Sequence, residues 1–357
     1  MKVTVYLSTY NQEEYVAQAL DSILMQKTTF DFEIIAADDC STDGTQAVIM
    51  DYVNRHPGRI IPYFTNPNVG GCKKLTDVID AGLFRGEYLA WLEGDDYWLG
   101  EGRLQILVDF LESHPEYSRV SHKRLVIDEH GTEKGFDISD AVLEKPFTME
   151  DFLAGRNYSD FGSVFRNYFK TAGDKYHPLL LSSRNVCDFQ DMFITQDFGP
   201  VYVMDRCFGV YRSRSAAGHS NYNSITTAAF RCRENIRLAR AVEDFYRGKY
   251  DLSPLIRRNQ TRLLSLCLGD DAEWDRAAGE IPETKAIAAE LYYLAWRGKR
   301  KDEMDFLRRK YPHLTIPAAV YGAKRIWEKL RHIPHDDSRR GYRKESPSWS
   351  PSSKFSM

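Results

Sequence analysis

The sequence predicts an α/β protein with a doubly wound, mostly parallel sheet that is followed by a helical C-terminal region. Short apolar runs rich in β-branched residues alternate with segments of helical period over the first half of the chain. Polar turns follow these runs, which is typical of parallel strands that end at one edge of a sheet. From Ile225 the strand-like runs stop, and helical periodicity dominates to about Arg331.

The length and composition predict more than one structural unit. The chain has 357 residues, for which about two domains are expected. We predict an α/β domain over residues 1–224 and a helical region over residues 225–333. The tail over residues 334–357 is rich in Ser, Pro and Arg and is predicted to be disordered.

The sequence gives no indication of a membrane span or a signal peptide. No window approaches the roughly 18 consecutive apolar residues that indicate a transmembrane helix, and the first seven residues are strand-like. The six cysteines are scattered and form no Cys-x-x-Cys pair. A disulfide framework and a metal–thiolate site are therefore not indicated, and we expect a cytoplasmic location.

The elements are predicted in chain order from their periodicity. Strands are expected at residues 3–8, 32–37, 60–64, 87–92, 119–128, 163–169 and 201–211. Helices are expected at residues 13–26, 45–54, 71–83, 103–113 and 187–198. Asn11 is predicted to cap the first of these helices.

One stretch, Leu89–Trp98, is central to the prediction of a site. The apolar run ends at Leu92 and is followed by the acidic segment Glu93–Asp96. We expect a buried strand that carries Asp95 and Asp96 to the carboxyl edge of the sheet, where such sheets bind ligands. The adjacent carboxylates repel each other, so a Mg²⁺ or Mn²⁺ ion shared with a phosphate would explain the pair. A solvated turn is the alternative.

The sequence lacks the glycine-rich loops that are typical of three classes of nucleotide-binding protein. Residues 8–11 lack the Gly-x-Gly-x-x-Gly pattern of dinucleotide-binding folds, and the chain has no Gly-x-x-x-x-Gly-Lys-Ser/Thr loop. A nucleotidyltransferase also uses a divalent cation on an α/β sheet, but a glycine-rich loop would be expected at this turn.

Five segments at predicted strand ends, together with Gln26, occur in the order and spacing of a known enzyme family. They are residues 5–11, 34–43, 86–88, 92–98 and 210–212. Through them, residues 1 to about 215 resemble inverting family 2 glycosyltransferases of the GT-A fold. The resemblance implies transfer of a sugar from a nucleotide-sugar donor, with a UDP-sugar favoured, to an acceptor hydroxyl in bacterial polysaccharide or glycan synthesis. It also implies Mn²⁺ or Mg²⁺ as cofactor, and no nucleic-acid partner is expected.

The resemblance assigns donor-binding roles that the chemistry of the residues supports. Tyr10 would lie against a pyrimidine ring, and such stacking contributes about 1–3 kcal/mol per base. Asp39 would accept a hydrogen bond from the uracil ring N–H; Asp38 ranks second and would instead cap the next helix. Ser8 belongs to the same donor-binding motif, and Asp95 matches the carboxylate on the ribose side.

The resemblance also assigns the metal ligand and the general base. Asp96 matches the ligand of a cation that would act as a Lewis acid on the diphosphate. Asp188, at a predicted helix start, matches the base, and the helix dipole should favour its ionised form. Asp191, one turn later, is the alternative base. Arg214 stands where the family often has a histidine and would neutralise phosphate.

The basic C-terminal region suggests a contact with an anionic surface. From Ile225 to the end it has 27 Lys and Arg against 18 Asp and Glu. A basic amphipathic helix is predicted over residues 316–331 and would either lie on an anionic membrane or pack against the catalytic domain. Acceptors of such enzymes are often lipid-linked, so a glycan or lipid-linked acceptor and peripheral contact with the inner membrane face are retained.

Two functional hypotheses remain open. The first is a metal-dependent glycosyltransferase, and the second is a catalytically silent GT-A domain that binds a nucleotide or a partner. The presence of both Asp96 and Asp188 favours the first hypothesis.

Overall fold

The computed structural model describes residues 1–158, 162–185, 187–213 and 226–314. These residues form a mixed, mostly parallel sheet with flanking helices, followed by further helices, as the sequence predicts. The predicted helix over residues 316–331, the tail from residue 334, and Arg214 all lie outside the described residues.

The described part of the sheet has ten strands. They are Val3–Thr9 (β1), Phe32–Asp38 (β2), Ile60–Phe64 (β3), Tyr88–Glu93 (β4), Tyr97–Trp98 (β5), Arg119–Ile127 (β6), Glu133–Phe136 (β7), Lys145–Phe147 (β8), Val164–Arg166 (β9) and Val201–Arg212 (β10). Their order is β3-β2-β1-β4-β9-β6-β10-β5, with β7 on β6 and β8 on β10.

The pairing of the strands brings the predicted motifs together. Strand β1 runs parallel to both β2 and β4, and β6 runs parallel to β10. Strand β9 lies antiparallel between β4 and β6. In this register Thr9 lies beside Asp38 and Ser8 beside Glu93, so β1, β2 and β4 end at the same edge of the sheet.

The helices lie on both faces of the sheet and continue beyond it. They are Val16–Leu24 (α1), Thr45–Arg55 (α2), Gly71–Asp80 (α3), Arg103–Ser113 (α4), Met149–Leu153 (α5), Phe169–Ala172 (α6), His177–Leu180 (α7), Asp188–Gln196 (α8), Ala228–Phe245 (α9), Ser253–Leu266 (α10), Asp271–Glu280 (α11), Thr284–Arg297 (α12) and Lys301–Lys310 (α13). The predicted strand over residues 163–169 is in fact the short β9 followed by α6. Three-residue strands carry too little periodicity to be recognised from sequence.

The prediction that Asn11 caps α1 is wrong. The residue before α1 is Tyr15, and its side chain makes no capping hydrogen bond. Asn11 has a φ of 52°, a left-handed conformation that Asn tolerates better than most residues. Its Oδ1 accepts a hydrogen bond from the Thr42 N–H at 2.8 Å. Asn11 therefore links the turns after β1 and β2.

The two faces of β1 contribute to different cores because successive side chains of a strand point in opposite directions. Val5 and Leu7 pack with α1, α2 and α4, whereas Tyr6 packs with α3, α8 and their neighbours. Ala239 and Leu255, from α9 and α10, join this second core. The helical region is therefore packed directly on the sheet, while helices α10 to α13 also share a core of their own.

In the parts of the chain that the structure describes, no helix has the length and apolar character needed to cross a membrane.

Candidate functional site

The turns at the carboxyl ends of β1 and β2 are joined by two hydrogen bonds from backbone N–H groups. The Asp39 N–H donates to the Thr9 carbonyl at 3.0 Å, and the Asn11 N–H donates to Ser41 Oγ at 2.8 Å. Tyr10 lies between these two contacts and is half-exposed. The interlocked turns thus hold the Tyr10 backbone while part of its side chain stays open to solvent.

Asp39 is almost fully buried beneath the next loop. Its Oδ1 accepts from Thr65 Oγ1 at 2.8 Å and from the Val69 N–H at 2.9 Å. Its Oδ2 accepts from the Gly70 N–H at 2.8 Å. A carboxylate has about four acceptor positions, so these three bonds within the described residues leave room for one more at Oδ2.

Asp38, the second-ranked residue for binding the nucleobase, forms hydrogen bonds with neighbouring residues of the protein. It is fully buried. Its carboxylate accepts from Thr9 Oγ1 at 2.9 Å, from the Ser41 N–H at 2.9 Å and from Gln46 Nε2 at 2.7 Å. Asp38 therefore stabilises the turn that follows β2.

A buried lysine of α3, Lys74, supports Ser8. Lys74 Nζ donates to Ser8 Oγ at 3.1 Å and to the carbonyls of Thr9 and Ala37 at 3.0 Å. Burial lowers the pKa of Lys74, against the raising effect of nearby carboxylates. Lys74 precedes the buried Val78 by four residues, so its position on the inner face of α3 could have been read from the spacing.

The acidic segment after β4 is folded tightly against β1. The Gly94 N–H donates to the Ser8 carbonyl at 2.9 Å. A Cβ atom at Gly94 would lie 2.5 Å from Gln12 Oε1 and 2.6 Å from Thr9 Cγ2. Only glycine fits this close approach, which positions the carboxylates that follow.

Asp96, the predicted metal ligand, is buried and hydrogen-bonded at both oxygens. Its Oδ2 accepts from Arg124 NH1 at 2.9 Å, and its Oδ1 accepts from the Arg212 N–H at 2.9 Å. Burial is the main cause that raises the pKa of Asp96 to about 7; Asp95 raises it further and Arg124 opposes the rise.

Arg124 is a site residue that the sequence prediction missed. Its Nε donates to Asp137 Oδ2 at 2.8 Å, so the guanidinium bridges Asp137 and Asp96. It also lies 4.8 Å from the centre of the Tyr211 ring. The sequence could have indicated Arg124, because His122 and Arg124 are two positions apart in a predicted strand and so lie on the same face.

The segment around Arg212 supports the acidic residues from the other side. The Arg212 guanidinium donates to the Asp95 carbonyl and lies 4.9 Å from the centre of the Tyr97 ring. Asp95 itself is 4% exposed. Strand β10 thus holds the Asp95 backbone through the Arg212 side chain and the Asp96 carboxylate through the Arg212 N–H.

Asp188 is the first residue of α8 and is exposed to solvent. It lies close enough to the acidic segment to influence Glu93, whose pKa is raised by burial and then by Asp95, Asp96 and Asp188. Desolvation by neighbouring protein atoms raises the pKa of Asp188 itself, although the Phe189 N–H donates to its Oδ1 at 3.0 Å and favours the charged form. The pKa of Asp188 is therefore raised, whereas the helix dipole alone would lower it.

Asp191, the alternative base, faces the protein interior. It is fully buried in an ion pair with Arg119, and the Tyr168 hydroxyl donates to it. A carboxylate buried in this way is not accessible to an acceptor hydroxyl, which argues against Asp191 as the general base.

The fit of a divalent cation depends on Arg124. The described residues contain no group of three or more His, Cys, Asp or Glu side chains arranged around a metal position. Mg²⁺ often takes only one or two protein carboxylates together with substrate phosphates, so Asp96 has suitable oxygen donors. Each oxygen accepts one hydrogen bond, and the positive charge of Arg124 would repel a cation at the remaining acceptor positions, so Asp96 fits as a ligand once Arg124 has moved away.

Comparisons with known proteins agree with this architecture. Residues 4–175 match the profile of Glycosyl transferase family 2. An uncharacterized glycosyltransferase of Nostoc sp. is 34% identical over 236 residues, which is 64% of this chain and 69% of that protein. An uncharacterized protein of Mycobacterium tuberculosis is 39% identical over 156 residues. This chain spans 44% of the length of that mycobacterial relative.

A Staphylococcus aureus protein is similar in both sequence and structure. The poly(ribitol-phosphate) β-N-acetylglucosaminyltransferase TarS is 31% identical over 117 residues, or 32% of this chain and 19% of TarS. The crystal structure of TarS 1-349 in complex with UDP-GlcNAc superposes with a TM-score of 0.55 at 18% identity. The superposition covers 86% of this chain and 90% of that one, and it supports a GT-A-like fold.

Proposed function

The chain belongs to glycosyltransferase family 2, and on that premise we propose that it is an inverting glycosyltransferase. In this proposal it moves a sugar from a nucleotide-sugar donor, preferably a UDP-sugar, to an acceptor hydroxyl in bacterial surface polysaccharide or glycan synthesis. One observation carries the proposal. The segment that leads into exposed Asp188, from a distant part of the chain, contacts the loop that holds Asp39: the Cys72 N–H donates to the Arg184 carbonyl at 3.1 Å, and the Gly70 N–H donates to Asp39 Oδ2 at 2.8 Å.

The donor would bind over the carboxyl ends of β1 and β2. Tyr10 would stack against the base, since its side chain is partly open to solvent. The remaining acceptor position on Asp39 Oδ2 would receive the ring N–H of uracil, a donor that cytosine lacks at this position. Ser8 and Asp95 line the same edge and would face the rest of the nucleotide. The solved structure of TarS in complex with UDP-GlcNAc is consistent with a uridine donor.

The diphosphate would lie over the acidic segment. Asp96 would hold Mn²⁺ or Mg²⁺, which when bound supplies stabilisation of the charge on the diphosphate. Arg212 keeps Asp96 in position through its backbone N–H. Arg124 would have to leave Asp96, and its positive charge would then be available to a phosphate oxygen. Arg214, outside the described residues, is proposed to add a second positive charge.

Asp188 would act as the general base. In an inverting transfer the acceptor oxygen forms a bond to the anomeric carbon while the bond to the diphosphate breaks on the opposite face. The hydroxyl proton passes to the carboxylate, and such assistance contributes about 10²–10⁴-fold. The raised pKa of Asp188 makes it a stronger proton acceptor than an ordinary aspartate.

The ion pair between Arg124 and Asp96 also favours a second candidate function, a domain that binds nucleotide but does not catalyse transfer. If Arg124 stayed on Asp96, no cation would reach the diphosphate, and the domain would bind nucleotide without transferring sugar. We also propose that the acceptor is a glycan or a lipid-linked molecule and that residues 316–331 contact the membrane.

A donor screen tests both candidates. UDP-, GDP- and dTDP-sugars are incubated with the protein in Mn²⁺, Mg²⁺ or EDTA, and the released nucleotide is measured. We expect release from a UDP-sugar with metal and a strong decrease in Asp188→Asn. UDP binding without turnover of any donor would support the silent domain, and turnover of a GDP-sugar alone would contradict the assignment of Asp39.

A further inference from the structure

Two buried cysteines that are distant in sequence lie in direct contact. The Sγ atoms of Cys72 and Cys187 are 2.7 Å apart, with the Cys187 thiol donating, and the residues are 115 positions apart in the chain. Cys72 is fully buried and Cys187 is 9% exposed. The two side chains therefore face each other inside the protein, with only Cys187 slightly open to solvent.

The pair lies where two segments of the candidate site meet. Cys72 is the second residue of α3, and its N–H donates to the Arg184 carbonyl at 3.1 Å. Arg184 in turn donates from its guanidinium to Asn68 Oδ1 at 2.8 Å. Cys187 directly precedes Asp188, the first residue of α8. The segment that leads into α8 thus rests on the loop that leads into α3.

The contact between these segments leaves little space for them to separate or slide. Gly70 has a φ of +91°, and a Cβ atom there would lie 2.6 Å from the Arg184 carbonyl oxygen. The Gly70 N–H also donates to Asp39. Cys72 and Cys187 are therefore held together by the backbone around them, which is the condition under which two thiols can be joined without a large rearrangement.

We propose that Cys72 and Cys187 are a modification site that forms a reversible disulfide, linking the start of α3 to the start of α8. A disulfide has an S–S distance of about 2.05 Å, so the sulfurs need to approach by less than 1 Å from the 2.7 Å contact. In a reducing compartment such a bond acts as a redox sensor rather than as a permanent crosslink.

The oxidant is a peroxide. The Cys187 thiolate attacks hydrogen peroxide, which breaks the O–O bond and gives a sulfenic acid and hydroxide. The Cys72 sulfur then attacks the sulfenic sulfur, the S–O bond breaks, and water leaves with the thiol proton. In sum, two thiols and one peroxide give one disulfide and two waters, and a dithiol reductant reverses the bond.

The raised pKa of the Cys187 thiol explains why the two cysteines stay reduced until peroxide is present. The hydrogen bond to Cys72 and burial raise the pKa of Cys187 well above its usual value. Because the thiolate is the reactive form and Cys187 is only 9% exposed, the pair reacts slowly and stays reduced until a small oxidant such as peroxide is supplied in excess.

Peptide mapping under non-reducing conditions tests the proposal. The full chain is treated with hydrogen peroxide, the remaining thiols are blocked, and the digest is analysed by mass spectrometry. We expect a peptide pair joined through Cys72 and Cys187 in most molecules, and its loss after dithiothreitol. The pair should be absent from Cys72→Ser and Cys187→Ser but present in Cys40→Ser, a control at a half-buried cysteine outside the pair.

Thermal unfolding gives a second measurement that does not depend on sugar transfer. The disulfide would close a loop of more than 100 residues, so oxidation should raise the melting temperature of the wild type by about 5 °C or more. Cys187→Ser should show no such rise. Sulfinic acid at Cys187 without a crosslink, or disulfides between molecules only, would overturn the proposal. If Cys72→Ser does not fold, mapping of the wild type and of Cys187→Ser still decides.

Discussion

Arg124 NH1 donates a hydrogen bond to Asp96 Oδ2 across 2.9 Å, within a buried ion pair. The carboxylate that the resemblance assigns to a metal therefore already has a cationic partner. Asp137 binds the same guanidinium from the other side. Arg124 can leave Asp96 without losing every counter-charge, so this arginine and a divalent cation compete for one carboxylate.

Replacing Arg124 should therefore change metal affinity. In Arg124→Gln, Mn²⁺ should bind the UDP-loaded protein about tenfold more tightly, which is about 1.4 kcal/mol, because Asp96 loses its competing cation. Titration with Mn²⁺ followed by electron paramagnetic resonance measures this affinity. Lys123→Gln is the matched control, since Lys123 pairs with Asp205 instead. Weaker Mn²⁺ binding in Arg124→Gln would show that Arg124 assists the metal rather than competing with it.

The two aspartates of α8 should respond differently to the same substitution. Asp188→Asn should reduce turnover by about two orders of magnitude or more while UDP affinity stays nearly unchanged, because only the proton acceptor is lost. Asp191→Asn should mainly lower the free energy of unfolding, by about 3–5 kcal/mol, because it leaves Arg119 buried without its partner. Turnover, UDP binding and chemical denaturation of both variants make the comparison. Normal turnover in Asp188→Asn would remove the proposed base.

Asp39 should combine a binding role with a structural one. In Asp39→Asn an amide group replaces one carboxylate oxygen, so a backbone N–H of Val69 or Gly70 loses an acceptor, at about 1–3 kcal/mol. We expect a lower melting temperature and at least tenfold weaker UDP binding, measured by calorimetry. Thr65→Val removes one donor to Oδ1 and leaves Oδ2 intact, so it should destabilise without this loss of affinity. Equal UDP affinity in wild type and Asp39→Asn would limit Asp39 to anchoring the loop.

His122 should make the fold sensitive to acid. Its Nδ1 contacts the Lys123 carbonyl at 2.8 Å and its Nε2 contacts Arg103 Nε at 3.2 Å, which fits a neutral ring protonated at Nδ1. Burial, followed by Arg103, lowers the pKa of His122 well below its usual value. As pH falls below about 6.5, the unfolded chain takes up a proton that the folded protein does not, so the stability due to the neutral ring is lost.

The measurement for His122 is the free energy of unfolding across this pH range. The wild type should lose up to about 1.4 kcal/mol per pH unit below pH 6.5 from this residue. His122→Gln should show a shallower decline, whereas His130→Gln, at an exposed turn, should follow the wild type. Identical pH profiles for wild type and His122→Gln would mean that folding does not change the pKa of His122.

The sequence by itself determined the longer strands and helices of the sheet domain in chain order, without β5, β7, β8 and α5 to α7, and the edge at which the candidate site lies. The runs that become β1, β2 and β4 are mostly apolar because both faces of a parallel sheet are covered. Since parallel strands end at a common edge, the polar residues after each run had to meet there, and Tyr10, Asp39 and Asp95 do lie on that edge. Local patterns were sufficient for this part of the prediction.

Only the tertiary structure decided which side chains are partners. Asp96 and Arg124 are 28 positions apart, and Arg119 and Asp191 are 72 apart. No local periodicity links such residues. Asp188 and Asp191 have the same side chain and lie one helical turn apart, yet α8 presents one to solvent and packs the other against Arg119. Burial and ion pairing depend on how distant elements pack, so they were fixed by the fold and not by the local sequence.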